Sequence, residues 1–481
     1  MPATAGSSTR RLTPASSSAR GIDRRQMVVR VGIVALAWCA AWLAISEFGR
    51  PYNFFDMRIY HGAAVWWASG HELYGYVMPD TTLGFTYPPF AGVLMLPMAA
   101  LPLTAAGWVN VLCSLAALAG VLWALLGPVT RRYGWPRGFA VALAVPIFTA
   151  IEPVRETLGY GQVNLLLFVL IIADLLALRW RARSGLRPVG GGAVRRFFYS
   201  GVWAGVGIGV ATSIKLTPAL FLLYLAVTKQ WRATMTAIGT TVAVTGVTFL
   251  AAGRESTTYF AQILWDTQRV GAADATPNQS LAGVLARLYD SPEAPTLLWL
   301  TFALVVLAVG VSRAARAHDD GDELTAFTLV GLTANVISPI SWTHHLVFVI
   351  PAILVLADAA LRRRDASRGL QRRGGAPSAG MNGFTALRTP IWFPALTGFR
   401  HAAAAVGVYL LFLVSPIWRY EHQLPLESHY DDGLWGLLME NSLALGLIVL
   451  VACLPWRPGA EPAFYADAGM RARVGARVKG S

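Results

Sequence analysis

Charge is scarce in this chain. Only 14% of its 481 residues are Asp, Glu, Lys or Arg, where a soluble domain carries roughly a quarter. That shortage excludes an ordinary water-soluble enzyme. Lysine is almost missing: Lys215, Lys229 and Lys479 are the three among 40 basic residues, a bias read as coding preference for arginine. Cysteine is equally rare. Cys39, Cys113 and Cys453 each lie inside an apolar run, show neither disulfide nor metal-ligand spacing, and read as small hydrophobes. A cleavable leader is not evident either. The apolar stretch 28–48 is longer than a typical signal core and lacks a cleavage site, so it reads as a retained helix.

Hydrophobic length is abundant. Hydrophobic residues make up 55% of the chain, the mean hydropathy is +0.49, and bilayer-length apolar runs recur from end to end. The 17 Trp and 15 Tyr suit interfacial anchoring. An all-α polytopic membrane protein follows. Twelve spanning helices are expected near 28–48, 106–127, 138–152, 163–179, 199–214, 217–228, 232–252, 296–314, 323–340, 345–361, 402–417 and 433–454. The stretch "YPPFAGVLMLPMAALP" (87–102) has prolines near its ends and in its middle, and is expected to be a re-entrant or interfacial segment.

The net charge of +14 does not indicate nucleic acid, because basic residues gather in the loops of one face. With the N-terminus inside, cytoplasmic segments hold 30 of the 40 basic residues and external segments eight. Treating 87–102 as a full span would place "RRYGWPR" and "RWRARSGLR" outside, against the positive-inside rule. The chain divides into a disordered cytoplasmic tail 1–27, a transmembrane core 28–361, a basic flexible cytoplasmic loop 362–400, a C-terminal helix pair 401–454 and a cytoplasmic tail 455–481. No internal repeat is evident.

This topology puts six polar stretches on the external face: "YNFFDMRIYHGA" (52–63), "FTYPPF" (85–90), "EPVRETLGYGQVN" (152–164), "SIKLTP" (213–218), "TPNQSLAGVLARL" (276–288) and "SPISWTHH" (338–345). Transporters gather polar groups near the midplane. A set collected at one rim suits chemistry on a lipid headgroup. Taken with "GYGQVNLLLF", "KLTPALF" and "SPISWTHHLVF", these stretches resemble the bacterial polyprenyl-phosphate-mannose-dependent α-(1→2)-mannosyltransferases, glycosyltransferase family 87 of the GT-C superfamily. The resemblance runs from 54 to 348 and does not reach the tails or the 362–400 loop.

It implies a GT-C fold with a catalytic core at 28–361, an actinobacterial plasma-membrane enzyme and an active site on the periplasmic face. It also implies an inverting transfer of mannose from polyprenyl-phosphate-mannose to a glycolipid or lipoglycan acceptor. Two acceptors stay open, α-1,2 branching of lipomannan or lipoarabinomannan and extension of a phosphatidylinositol mannoside. No cofactor or metal is expected. The competing readings are a transporter or flippase of lipid-linked sugars, an O-antigen-ligase-like or acyltransferase enzyme, and a GT-C enzyme with another lipid-phosphosugar, such as an arabinose donor.

Such chemistry needs one base to take the acceptor's proton and cations to neutralise the leaving phosphate. Asp56, placed where the family carries an acidic residue after the first helix, is the expected base; capping a helix or pairing with Arg58 is the alternative. Glu152 and Glu156 are the substitute acids. Lys215, Arg58, Arg155, His344 and His345 are the donor-phosphate candidates, against snorkelling for Lys215 and Arg58 and hydrogen bonding for the histidines. Vicinal histidines without an HExxH spacing are a weak metal signal. Tyr60, His61, Tyr87, Gln162, Asn164, Asn278, Gln279 and Trp342 are candidates for sugar or acceptor binding, against interfacial packing and inter-helix hydrogen bonds. Asp174, inside a span, has no assigned role.

Overall fold

The computed structural model describes residues 24–184, 191–266, 268–372, 398–419 and 433–460. Helices dominate them, and two isolated β-bridges are the strand-like pairings present among them. The first apolar run forms α1 (Arg24–Phe48). An unforeseen helix, α2 (Phe55–Ala68), follows and buries Ile59, Tyr60, Ala63 and Ala64 along one face. The proline-rich segment folds as α3 (Pro89–Met95) and a 3-10 continuation, Leu96–Ala100. It stays short of the ~20 residues a crossing needs, in keeping with the interfacial expectation.

Next come α4 (Leu103–Tyr133), α5 (Arg137–Thr149) and α6 (Glu152–Tyr160). The last two meet at a 76° bend. Pro153, with no amide N–H to continue the α5 ladder, sits in the first turn of α6. Then follow α7 (Asn164–Ser184), a short α8 (Ala193–Ser200), α9 (Val206–Ile214), α10 (Leu220–Val227), α11 (Trp231–Ala251), α12 (Gly253–Ala261) and α13 (Leu281–Leu288). The chain continues through α14 (Thr296–Asp319), α15 (Glu323–Ile337), α16 (Val349–Arg372), α17 (Phe399–Val414), α18 (Gly433–Glu440) and α19 (Ser442–Cys453).

Each of the twelve expected spans contains helix. Among the described residues, five helices are long and apolar enough to cross a membrane, or up to seven if each bent pair is one span. The difference has local causes. The expected span 199–214 is interrupted at Gly201 and Gly205, both in the left-handed region, so helix begins at Val206. The final run breaks by 61° between α18 and α19, where buried Glu440 and Asn441 bond to Thr276 and Arg287. α16 continues to Arg372, past the expected loop start at 362, with Arg362 paired to Asp358 one turn earlier and Asp365 held by Arg132 and Tyr133. The tail expected to reach residue 27 gives way to helix at Arg24; residues 1–23, 373–397 and 461–481 lie outside the described set.

The distribution of polarity is inverted relative to a water-soluble protein. Leu250 is 90% exposed and Leu297 80%, while Glu152, Asp174, Arg287, Asp322 and Glu323 are fully buried. An apolar solvent outside and paired charges inside explain both. Asp174 receives its role here: its Oδ2 accepts the Ile208 backbone N–H at 2.6 Å and caps the first turn of α9. At the end remote from α2, Arg457 clamps three elements. Its Nη2 and Nε donate to Asp322 at 2.7 and 2.9 Å, and its Nη1 to Asp358 at 2.8 Å.

Replacing Arg457 with alanine takes the guanidinium from buried Asp322, while Asp358 keeps Arg362. A loss of about 3–5 kcal/mol is expected, read as a clear drop in melting temperature in detergent. Arg457→Lys should recover little, because an ammonium cannot reproduce the forked contact.

Candidate active site

The polar stretches expected on one face do converge. All six contribute to the wall of a single cavity of about 730 Å³. Asp56 enters it from the first turn of α2, which follows two consecutive left-handed residues, Asn53 (φ 48°) and Phe54 (φ 52°). That backbone is disfavoured by about 1–2 kcal/mol per residue outside glycine. Two contacts hold it: the Phe54 N–H donates to the Gly159 carbonyl at 3.0 Å, and the Phe54 ring packs where a Cβ on Gly107 would stand. Arg58, expected at phosphate, is exposed outside the cavity and donates from Nε to the Asn53 carbonyl at 3.1 Å. It braces the turn that carries Asp56.

Asp56 accepts a hydrogen bond from Gln162 Nε2 at 2.6 Å. Gln162 follows Gly161 (φ 77°), the left-handed residue that ends α6. Burial pushes the Asp56 carboxyl up to about 6, against the opposing pull of the Gln162 hydrogen bond and the Lys215 charge. Lys215 stands in the extended residue that closes α9. Burial pushes its ammonium down to about 7, with the Asp56 charge acting the other way.

Lys215 Nζ lies 2.7 Å from His345 Nε2, 3.3 Å from Asn164 Oδ1 and 5.4 Å from the Tyr87 ring centre. His345 Nδ1 accepts the Trp342 backbone N–H at 3.2 Å. In a neutral imidazole that bond leaves the proton on Nε2, facing Lys215, which accepts it when the amine is neutral and still donates to Asn164. Both histidines are held well below their usual range, first by burial and then by Lys215 when it is protonated. They form a 3-10 turn, Thr343–His345, rather than opening a helix. His344 is 5% exposed and lines the cavity, yet neither ring nitrogen has a hydrogen-bond partner. Glu156 Oε2 is 3.9 Å from its Nδ1 and accepts from the Thr343 hydroxyl.

Tyr60, Tyr87, Gln162 and Trp342 line the cavity as expected. Asn164 lines a smaller adjoining cavity of about 50 Å³ beneath Lys215 and His345. Four further candidates are not brought in. His61 bonds to the Leu101 carbonyl at 2.8 Å. Arg155 is buried behind the wall on Glu152 and on the carbonyls of Ala150 and Leu413. Asn278 bonds to Ser341, Ala273 and Pro339, and Gln279 to Thr276, Glu440 and Ala444. These amides are spent on joining loops to helices. Of the alternative acids, Glu152 is occupied by Arg155 and Trp418, and neither Glu152 nor Glu156 lines the cavity.

Residues not anticipated also line it: Arg50, Tyr160, Tyr259, Asp266 and Arg269. Arg50 lies over the Trp418 ring, donates to the Tyr160 hydroxyl at 3.1 Å and pairs with Glu156 at 3.7 Å. Its position just past the first apolar run was the available signal. Arg269 donates to the Tyr74 carbonyl at 2.6 Å and the Tyr76 carbonyl at 3.4 Å, pinning a loop no local motif announces. Among the described residues, no group of three or more His, Cys, Asp or Glu side chains is gathered to hold a metal ion.

Comparison with known proteins identifies the family. The family model described as "Glycosyltransferase family 87" matches residues 85–339. A Mycobacterium tuberculosis protein named polyprenol-phosphate-mannose-dependent alpha-(1-2)-phosphatidylinositol mannoside mannosyltransferase is 31% identical over 78% of this chain and 90% of its own length. A second M. tuberculosis protein, named as the corresponding phosphatidylinositol pentamannoside mannosyltransferase, is 33% identical over 68% of this chain and 71% of its own. A Mycolicibacterium smegmatis phosphatidylinositol mannoside mannosyltransferase is 30% identical over 85% and 86%. Among solved structures, ArnT from Cupriavidus metallidurans bound to undecaprenyl phosphate aligns over 89% of this chain and 77% of that one, with 16% identity and a TM-score of 0.35.

Proposed function

Since the chain belongs to glycosyltransferase family 87, and is by that membership a mannosyltransferase, we propose that it moves mannose from a polyprenyl-phosphate donor to a phosphatidylinositol mannoside-type glycolipid at the extracytoplasmic face. The observation that carries this reading is the pairing of Asp56 with the Lys215–His345 cluster across one cavity at the rim of an apolar-surfaced helical protein. The donor and acceptor follow the relatives named above.

Asp56 is the base of this mechanism. The acceptor hydroxyl oxygen attacks the anomeric carbon as its proton passes to the Asp56 carboxylate. The bond from that carbon to the phosphate oxygen breaks, and the phosphate leaves with the electron pair. Attack opposite the phosphate inverts the centre, turning a β-linked donor into an α-mannoside. Phosphate is already a good leaving group and needs charge neutralisation rather than protonation. Lys215 supplies that charge, and His344 offers ring nitrogens with no partner in the protein. The chemistry asks for no metal. The orientation is supported by the basic residues: α4 and α7 both start beside the cavity and end in Arg131 and Arg132, or in Arg181 and Arg183.

Asp56→Asn is expected to lower transfer from polyprenyl-phosphate-mannose by about 10²–10⁴-fold with protein level and donor binding retained, and chelators are expected to leave the wild-type rate unchanged. Full transfer by the variant, in an assay with phosphatidylinositol mannoside as acceptor, removes Asp56 as base. The rate should also follow a narrow bell against pH. Below about 6 Asp56 is protonated and cannot accept a proton; above about 7 Lys215 loses its charge. In Lys215→Arg the alkaline limb should move out of the accessible range, because a guanidinium stays charged.

A further inference from the structure

Behind Asp56 lies a closed ring of three buried side chains. Gln162 Nε2 donates to the Tyr60 hydroxyl at 2.8 Å, Tyr60 donates to the Tyr87 hydroxyl at 3.1 Å, and Tyr87 donates to Gln162 Oε1 at 2.9 Å. Every donor in the ring points the same way round, an arrangement in which each bond polarises the next. The second Nε2 proton goes to Asp56 at 2.6 Å. Tyr60, Tyr87 and Gln162 are 6%, 8% and 3% exposed. The backbone of Gln162 is fixed as well: its N–H donates to the Thr157 carbonyl at 2.9 Å and its carbonyl accepts from Asn110 Nδ2 at 3.2 Å.

We infer that Gln162 is a positioning residue for Asp56, with its amide held in place by the Tyr60–Tyr87 pair, and is not a ligand of the sugar. This rests on Asp56 being the base. Both Nε2 protons are committed, and Oε1 already takes one of its two possible donors, so little remains for a substrate hydroxyl. An amide turned the other way would set Oε1 against the carboxylate, a contact of two acceptors. The ionised carboxylate forbids that turn, while the two hydroxyls, which can donate or accept, hold both amide atoms in place. The carboxylate therefore keeps one oxygen engaged on a group that cannot take a proton from it. The other Asp56 oxygen is left for the acceptor. The charged and titratable groups facing Asp56 are Lys215 from the end of α9, Tyr60 on its own helix, Tyr87 from the loop before α3 and Tyr160 from α6. Of these, Lys215 is the one that titrates near neutrality.

The test is the pH profile of transfer by the full-length protein in membranes, with polyprenyl-phosphate-mannose and phosphatidylinositol mannoside. Gln162→Glu sets a second carboxylate against the first, disfavours ionisation of both, and should move the acidic limb up by a pH unit or more. The turnover number should fall tenfold or more, with donor and acceptor KM within twofold. Tyr87→Phe removes the bond that holds Oε1 and loosens the Gln162 contact with Asp56, and should move the same limb in the same direction by a smaller amount; it also covers the case in which Gln162→Glu accumulates poorly. An acidic limb that stays in place in both variants, or a loss confined to acceptor KM, overturns the inference and returns Gln162 to sugar binding. The Asp56→Asn result judges the base separately: an active Asp56→Asn enzyme sinks the mechanism itself, whereas an inactive one with unmoved limbs in the ring variants sinks only this inference.

Discussion

Charge buried in an apolar medium must be matched or neutralised, and that requirement organises this protein. Its buried acids and arginines are not isolated in the interior. They join helices: Arg457 to Asp322 and Asp358, Arg287 to Asn441 and three carbonyls, Asp174 to the start of α9. Each pairing sits where an apolar run bends, ends or meets another. The cavity differs in one respect. There Lys215 and His344 are enclosed, but their protein partners leave them neutral or unsatisfied, which is the state expected of groups held ready for an anionic, hydroxyl-rich ligand.

The same requirement explains the bends. A straight α5–α6 would place Glu152, Arg155 and Glu156 along the side of a span. The 76° turn at Pro153 moves them inward, where Glu152 meets Arg155 and Trp418 and Glu156 meets Thr343. The turn also delivers Gly159 to the backbone of Phe54 and Gln162 to Asp56. A polar helix packed against Asp56 is thus a product of the break, and the strained Asn53–Phe54 turn is tolerated because that helix supports it.

Much of the architecture was legible from the sequence, because charged residues stand out in an apolar chain. The six polar stretches were placed on one face by counting Lys and Arg, and all six line the cavity. Positions of spans were legible for the same reason, whereas their continuity was not, since Gly201, Gly205 and the Glu440–Asn441 pair interrupt apolar runs without ending them. The stripe Ile59, Tyr60, Ala63 and Ala64 has helical spacing, but the polar residues around them make the segment read as an external polar stretch. Side-chain roles were the least legible. Nothing local separates Gln162, which reaches Asp56, from Gln279, which is consumed by Thr276, Glu440 and Ala444. Only the distant segments that meet each amide decide, and a single sequence does not display them.

The contact between Lys215 and His345 has a thermodynamic consequence. A resting amine that accepts from an imidazole N–H carries no charge, yet an ammonium is what a phosphodiester attracts. On the proposed mechanism, capture of an anionic lipid above about pH 7 therefore draws one proton from the surrounding water, and departure of the spent carrier returns it. Occupancy of the pocket would thereby be tied to the acidity of the compartment it opens onto, independently of the proton that the reaction itself releases.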